Sequence, residues 1–193
     1  MCIRDRVRPH LEYANSVRSP YRKSDIEQIE KVKKRATELV SLRNLPYKER
    51  LMRLNLHTLK YRRLCCDMIE VFKIIHYKYN STVAPSLIHN SKSVNRGNKF
   101  KLQNQTFSRN FRNYFFTARI VNIWNILHNY VVDVLSIDLF KLRLDKFWAL
   151  QDIMFDWTAN LTGTGNRSEY TRGAVTLLNL AQNRASMLEV YLA

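Results

Sequence analysis

Two stretches of this chain repeat apolar residues at the spacing of one helix face, and only a fold with long helices satisfies both. In the first, Ile26, Ile29, Val32, Ala36, Leu39 and Val40 make one stripe, with Lys31, Lys34 and Arg35 on the opposite, outward face. Ser24-Asp25-Ile26-Glu27 has the order of a capping box that would open this helix. Lys33 falls at the edge of the stripe, where its stem can lie on apolar surface while the amine reaches water. In the second stretch Tyr61, Leu64, Cys65, Met68, Val71, Phe72, Ile75 and Tyr79 share a face, with Thr58 as its cap. Arg62, Arg63, Cys66, Glu70 and Lys73 lie opposite, and Arg63–Asp67 and Glu70–Lys73 have the spacing of helix-surface ion pairs. This phase buries Cys65 and exposes Cys66.

Between these stretches, Pro46 suits the first turn of a short helix reaching Leu54. Ile120, Ile123, Trp124 and Leu127 predict another helix; Ile137, Phe140, Leu144, Phe147 and Trp148 predict one more, capped by Ser136. Residues 80–98 are rich in Asn, Ser, Thr, Pro and Gly and read as a loop, after which Phe100 and Leu102 alternate with lysines as a short extended segment. The expected fold is mainly α. A helical bundle over residues 7–79 is joined by the 80–98 linker to a smaller helical lobe over 99–160, with a flexible tail over 161–193. A terminal helix from Ala174 to Leu192 would stand apart.

Charge narrows the function. The 193 residues carry 32 Lys+Arg against 16 Asp+Glu, a net charge of +16 that speaks of partners rather than of fold. No carboxylate occurs between Glu70 and Asp133, yet Lys73, Lys78, Lys92, Arg96, Lys99, Lys101, Arg109, Arg112 and Arg119 all do. Phe100, Phe107, Phe111, Tyr114, Phe115 and Phe116 are interleaved with them. Taken singly, such rings read as core. Taken together with the cations they suit nucleic acid, since cations grip phosphates and ring faces accept unpaired bases.

Catalytic patterns are missing. There is no Asp-Asp pair to hold two metals, the five histidines are scattered, and Gly163-Thr164-Gly165 lacks the Lys-Ser/Thr of a phosphate-binding loop. Cys65-Cys66 with His76 has the wrong spacing for a zinc site. The expectation is a chain that is not an enzyme by itself and takes no cofactor. Three cysteines, two of them adjacent, do not make a disulfide framework. No apolar run approaches the roughly 20 residues of a membrane span, and no secretory signal is visible, so an intracellular setting, nuclear or cytoplasmic, is expected.

Several motifs then make a set. Arg8-Pro9-His10-Leu11-Glu12-Tyr13, Ser19-Pro20-Tyr21, Ile29-Glu30-Lys31-Val32 and Lys34-Arg35-Ala36-Thr37 are followed by Arg53-Leu54-Asn55-Leu56, Leu59-Lys60-Tyr61-Arg62-Arg63, Asp67-Met68 and Phe72-Lys73-Ile74. Later come Phe115-Phe116-Thr117-Ala118-Arg119, Trp124-Asn125 and Phe140-Lys141. In order and spacing, over residues 7–169, this resembles the region that follows the palm in reverse transcriptases of LINE-type, jockey-like non-LTR retrotransposons. The resemblance implies a thumb-like domain over 7–79 and the carboxy-terminal part of an RNA-directed DNA polymerase, without fingers or palm. The parent polymerase would use Mg2+ and supply the missing palm as a partner; template–primer RNA and DNA would be the ligand, held by its backbone.

The cations assigned to that grip are Lys31, Lys34 and Arg35 with Lys60, Arg62 and Arg63; Lys99, Lys101, Arg109, Arg112 and Arg119 form the second surface. Arg18, His57 and His128 stand where the family has Trp, Pro and Pro, and Cys65-Cys66 replaces an Arg-Gly-like pair. The alternative is therefore a decayed helical interaction module without specific nucleic-acid binding. Met1-Cys2-Ile3-Arg4-Asp5-Arg6 resembles an in-frame translated sequencing adapter, so a non-native start is expected over residues 1–6, and the tail is consistent with read-through.

Overall fold

The computed structural model describes residues 7–162 except 40, 41, 81, 83, 91–97, 106, 108 and 109. The adapter-like start, Val40, Lys92, Arg96, Arg109 and the terminal helix expected over 174–192 lie outside the described residues. The chain divides into two compact units, Met1–Asn160 and Leu161–Ala193, and nearly all described residues belong to the first.

The fold is mainly α, as the periodicity requires. In chain order the helices are α1 (Arg8–Glu12), α2 (Lys23–Glu38), α3 (Tyr47–Arg53), α4 (Leu59–Ile75), α5 (Phe116–Ile126), α6 (Asn129–Val132) and α7 (Ile137–Phe147). Short 3-10 turns occupy Asn110–Tyr114 and Asp152–Met154. Among the described residues the only β pairing is an isolated antiparallel bridge between His89 and Leu102. It is flanked by Asn90 N–H to Lys101 O at 2.9 Å and Gln103 N–H to Ile88 O at 2.8 Å, which gives the extended segment after Phe100 its partner.

Helix ends follow local chemistry more than hydrophobic phase. Thr58 caps α4 as expected, its hydroxyl accepting from Tyr61 N–H at 3.2 Å. The box at Ser24 does not form: Arg22 is the residue before α2, no side chain caps it, and the Ser24 hydroxyl donates to Asp25 instead. Ser136 sits at the cap position of α7 without making a cap bond. Tyr79 is in phase with α4, yet the helix stops at Ile75 because Tyr77 turns left-handed (φ 52°). Lys78 N–H then reaches Lys73 O at 2.9 Å and Tyr77 N–H reaches Ile74 O at 3.2 Å, the paired bonds of a Schellman termination. The same device ends α3, where Asn55 (φ 49°) is left-handed and Leu56 N–H reaches Leu51 O at 2.9 Å.

Helix α4 is the centre of the bundle. Met68, Val71 and Phe72 are fully buried where α4 meets Ile120 and Trp124 of α5 and Phe140 and Leu144 of α7. Phe72 and Phe140 stack with ring centroids 4.4 Å apart, and Tyr61 meets Trp148 edge-on at 6.1 Å. Each such ring contributes about 1.5–3 kcal/mol by leaving water. Residues 7–79 and 99–160, which the sequence reading separates into two lobes, thus contribute to one core. Trp124 and Asn125 fix the extended segment to it. The indole N–H donates to Phe100 O at 2.8 Å, and the Asn125 side chain pairs with both backbone groups of Leu102 at 2.8 and 2.9 Å.

One surface of this bundle departs from the apolar pattern. The buried face of α2 holds Glu30, Lys33, Ala36 and Thr37, turned about 60° from the apolar stripe. Val32 is left 50% exposed and Leu39 78% exposed. The charged residues turned inward are bonded. Glu30 accepts from Tyr47 O–H at 2.5 Å and from Leu59 N–H at 3.1 Å, which places a carboxylate on the amino end of α4, where the helix dipole favours it.

Candidate nucleic-acid interface

The structure sorts the sequence-assigned cations into those that face solvent and those the fold itself uses. Lys31, Lys34 and Arg35 are exposed on the outer face of α2, and among the described residues none of them makes an ion pair. At a rise of about 1.5 Å per residue they span roughly 6 Å of one helix edge, and the exposed Lys23 extends that edge to roughly 18 Å. Arg112 is also exposed, on the Asn110–Tyr114 turn. Lys99 is exposed but is paired with Asp133 at 2.7 Å and lies over the Phe100 ring.

Of the remaining assignments, Lys60, Arg62, Arg63, Lys101 and Arg119 are corrected, because the fold buries or bonds them. Lys60 is half-buried and donates to Ala159 O at 2.5 Å and Asn160 Oδ1 at 2.9 Å, pinning the end of the unit to α4; burial pulls its amine below the ordinary lysine range. Arg62 bonds both carboxylate oxygens of Glu12 and so holds α1 against α4. Burial opposes its charge, and the Glu12 carboxylate more than offsets that, raising its pKa. Arg63 is buried, and burial lowers its pKa in spite of Glu30, Glu12 and Asp67 around it. Lys101 is buried as well, and Arg109 lies outside the described residues. The expected Arg63–Asp67 pair gives way to a longer-range one, whereas Glu70–Lys73 forms at 2.7 Å. Lys33, read as lying at the edge of the stripe, is buried with its Nζ bonded to His57 O.

Arg119 shows most clearly why a basic residue is not by itself a ligand contact. Its guanidinium meets Asp67 in a bidentate pair, Nε to Oδ2 and Nη2 to Oδ1, both 2.9 Å. The same group donates to Tyr114 O at 3.2 Å, Asn15 O at 3.3 Å and Ser16 O at 3.0 Å. Asn15 Nδ2 adds a bond to Asp67 at 3.2 Å and one to Arg63 O at 3.0 Å. Burial pushes the Asp67 carboxyl up and Arg119 pulls it back, so the carboxylate depends on its partner. The clamp joins the turn before α2, the middle of α4 and the 110–114 turn.

One consequence is a surface that the linear reading did not contain. Tyr21, just before α2, stacks on Tyr114 of the 3-10 turn at 4.2 Å between centroids and 21° between planes. Arg22 lies over the Tyr21 ring at 5.7 Å, and Phe111 meets Phe115 edge-on at 5.8 Å. Sequence marks Phe111, Tyr114 and Phe115 among the interleaved rings, whereas Tyr21 enters it only through the Ser19-Pro20-Tyr21 motif, because its ring neighbour is 93 positions away. Phe100, Phe107 and Phe116 are half-buried.

Neither Cys65 nor Cys66 is exposed. Cys65 and Cys66 are both half-buried, Cys66 because α1 covers the face of α4 that the amphipathic reading leaves to solvent. Among the described residues no group of His, Cys, Asp and Glu side chains converges to hold a metal, and no helix is long and apolar enough to cross a membrane. No protein-family model matches the chain, and no curated protein or solved structure is similar to it.

Proposed function

We propose that this chain is the thumb and carboxy-terminal part of a reverse transcriptase of the non-LTR retrotransposon type, which grips a template–primer duplex by its backbone along the outer face of α2. The observation that carries the reading is the row Lys31, Lys34 and Arg35, exposed and unpaired among the described residues, on a chain of net charge +16. Unpaired cations on one helix edge are free to displace counterions from phosphates, whereas cations already bonded inside the fold are not. The ordered motifs from Arg8 to Lys141 supply the family. In this reading the palm belongs to the parent protein, which brings the catalytic Mg2+; the isolated chain binds and does not polymerise, and its setting is intracellular.

The test is fluorescence anisotropy on an RNA–DNA primer–template between 50 and 200 mM salt. Replacing Lys31, Lys34 and Arg35 together by Gln should reduce the slope of log K against log salt by about 2.7, at about 0.9 for each phosphate left unneutralised. An unchanged slope removes α2 from the interface.

The exposed Val32 and Leu39 favour a second reading, in which α2 packs only against a parent protein and the module binds no nucleic acid. That reading expects no complex above the background of any polycation at near-physiological salt.

A further inference from the structure

The aromatic cluster at the amino end of α2 makes a second demand on the ligand. Tyr21, Phe111, Tyr114 and Phe115 are between 44% and 56% exposed, whereas Phe72, Phe140, Trp124 and Trp148 are buried to 2% or less. The chain therefore has a core that takes large rings, and these four stand outside it. They are not on a loose loop. The Arg119 guanidinium binds the carbonyls of Tyr114, Asn15 and Ser16, and the Phe115 carbonyl accepts the first bonds of α5 from Ala118 and Arg119 N–H at 3.0 Å. The backbone at Tyr114 and Phe115 is thus tied to the part-buried Arg119–Asp67 pair and to the start of α5.

The exposed charge around them is mostly positive. Arg22 lies over Tyr21, Arg112 is exposed in the same turn as Phe111 and Tyr114, and no carboxylate occurs in sequence between Glu70 and Asp133. The acidic group beside Arg22 is Asp25, on the first turn of α2. Half-exposed rings bounded by guanidinium groups, with Tyr21 stacked on Tyr114 and lying under Arg22, match a chain of planar bases joined by phosphates. They match a duplex poorly, since its bases are already stacked on each other.

We propose that Tyr21, Phe111, Tyr114 and Phe115, with Arg22 and Arg112, form a platform that stacks the unpaired nucleotides of a single-stranded tail adjoining the duplex. The proposal rests on the nucleic-acid reading above and adds to it a preference: tailed substrates bind better than blunt ones. Duplex affinity comes from the edge of α2, and tail affinity from the rings at its end.

The experiment compares a blunt RNA–DNA duplex with the same duplex carrying a six-nucleotide single-stranded tail that contains 2-aminopurine, at fixed salt. Wild-type chain should bind the tailed form about tenfold or more tightly and change the 2-aminopurine emission on binding, as stacking of one or two bases on rings implies. Tyr21→Ala with Tyr114→Ala, and separately Phe111→Ala with Phe115→Ala, should each cut the tail preference severalfold while leaving blunt-duplex affinity unchanged. Circular dichroism should match wild type, because the rings removed are surface ones. Tyr21→Trp should keep the preference. The Lys31, Lys34 and Arg35 replacement should weaken both substrates and preserve their ratio.

Equal binding of tailed and blunt duplex by the wild-type chain overturns the platform and leaves the α2 grip standing. Binding of a free single strand without any duplex binding overturns the grip and supports the platform. Failure to bind either, with self-association in sedimentation that the ring variants abolish, overturns both and makes the cluster a protein contact.

Discussion

Replacing Arg119 by Met separates structural from ligand-binding use of a cation in this chain. The guanidinium is nearly buried against Asp67 and bonds two of its oxygens and three backbone carbonyls. Removing it leaves the Asp67 carboxylate buried with Asn15 Nδ2 at 3.2 Å as its remaining hydrogen-bond donor. Breaking one side of a buried pair costs about 3–5 kcal/mol, and the three part-exposed carbonyls add up to about 1 kcal/mol each where water does not replace the lost donor. About 3 kcal/mol is therefore the least expected, a large share of the roughly 5–15 kcal/mol that holds a domain together.

At about 2–4 °C per kcal/mol for a unit of this size, Tm should fall by at least about 6–12 °C. Thermal melts followed at 222 nm measure it, with urea melts as a second estimate. Asp67→Leu alone should cost a similar amount, while Asp67→Leu with Arg119→Met should cost clearly less than the two added together, because an apolar pair leaves no buried charge. A Tm within about 2 °C of wild type for Arg119→Met, combined with loss of duplex affinity, would refute the reasoning and return Arg119 to the ligand surface.

Two further outcomes are expected. Burial, aided by the charges of Arg62 and Arg8, lowers the Lys33 amine from its ordinary 10.5 to about 8, against the pull of Glu30 and Glu12. Between those pH values the unfolded chain binds the extra proton, so stability from this group rises with pH across the window and is lost as pH falls through about 8. The difference in unfolding free energy between wild type and Lys33→Met should shift by on the order of 3 kcal/mol from pH 7.5 to 10.5, and urea melts giving a flat difference would sink the assignment. Taking that difference removes the opposite trend from Cys65, Tyr47 and Tyr61, whose pKa values burial raises. The thiols supply the other test: burial pushes Cys65 up to about 12 and Cys66 up as well. In a Cys2→Ser background, native chain at pH 8 should therefore resist maleimide for hours and label fully in denaturant, whereas labelling within minutes contradicts the burial of α4 on both faces.

What could be read from residue order alone was whatever depends on near neighbours. The 3.6-residue phase located α2, α4, α5 and α7, and Thr58 was recognisable as a cap because the group it bonds is three residues on. The missed end of α4 is set by Tyr77, a left-handed residue that is not glycine and carries no compositional mark, whereas the short helix read as reaching Leu54 ends at Arg53 with Leu54 as its cap. For the candidate interface the same limit applied more severely. Lys31, Lys34 and Arg35 are assigned to the outside from phase and lie there, although the buried face of α2 is turned about 60° from the stripe that defines that phase.

Charge along the chain determined that this protein presents a basic surface, and periodicity determined that it is built from helices. Only the tertiary structure decided which cations remain free. Arg62, Arg63 and Arg119 look as available as Lys34 in the sequence, but α4 is covered on the side its polar residues occupy, by α1 and by the turn holding Asn15. The acidic partners that claim two of them, Glu12 for Arg62 and Asp67 for Arg119, are 50 and 52 positions away. A buried guanidinium is stable only beside a carboxylate, and which carboxylate comes beside it is a matter of how helices pack, not of where residues fall in the chain.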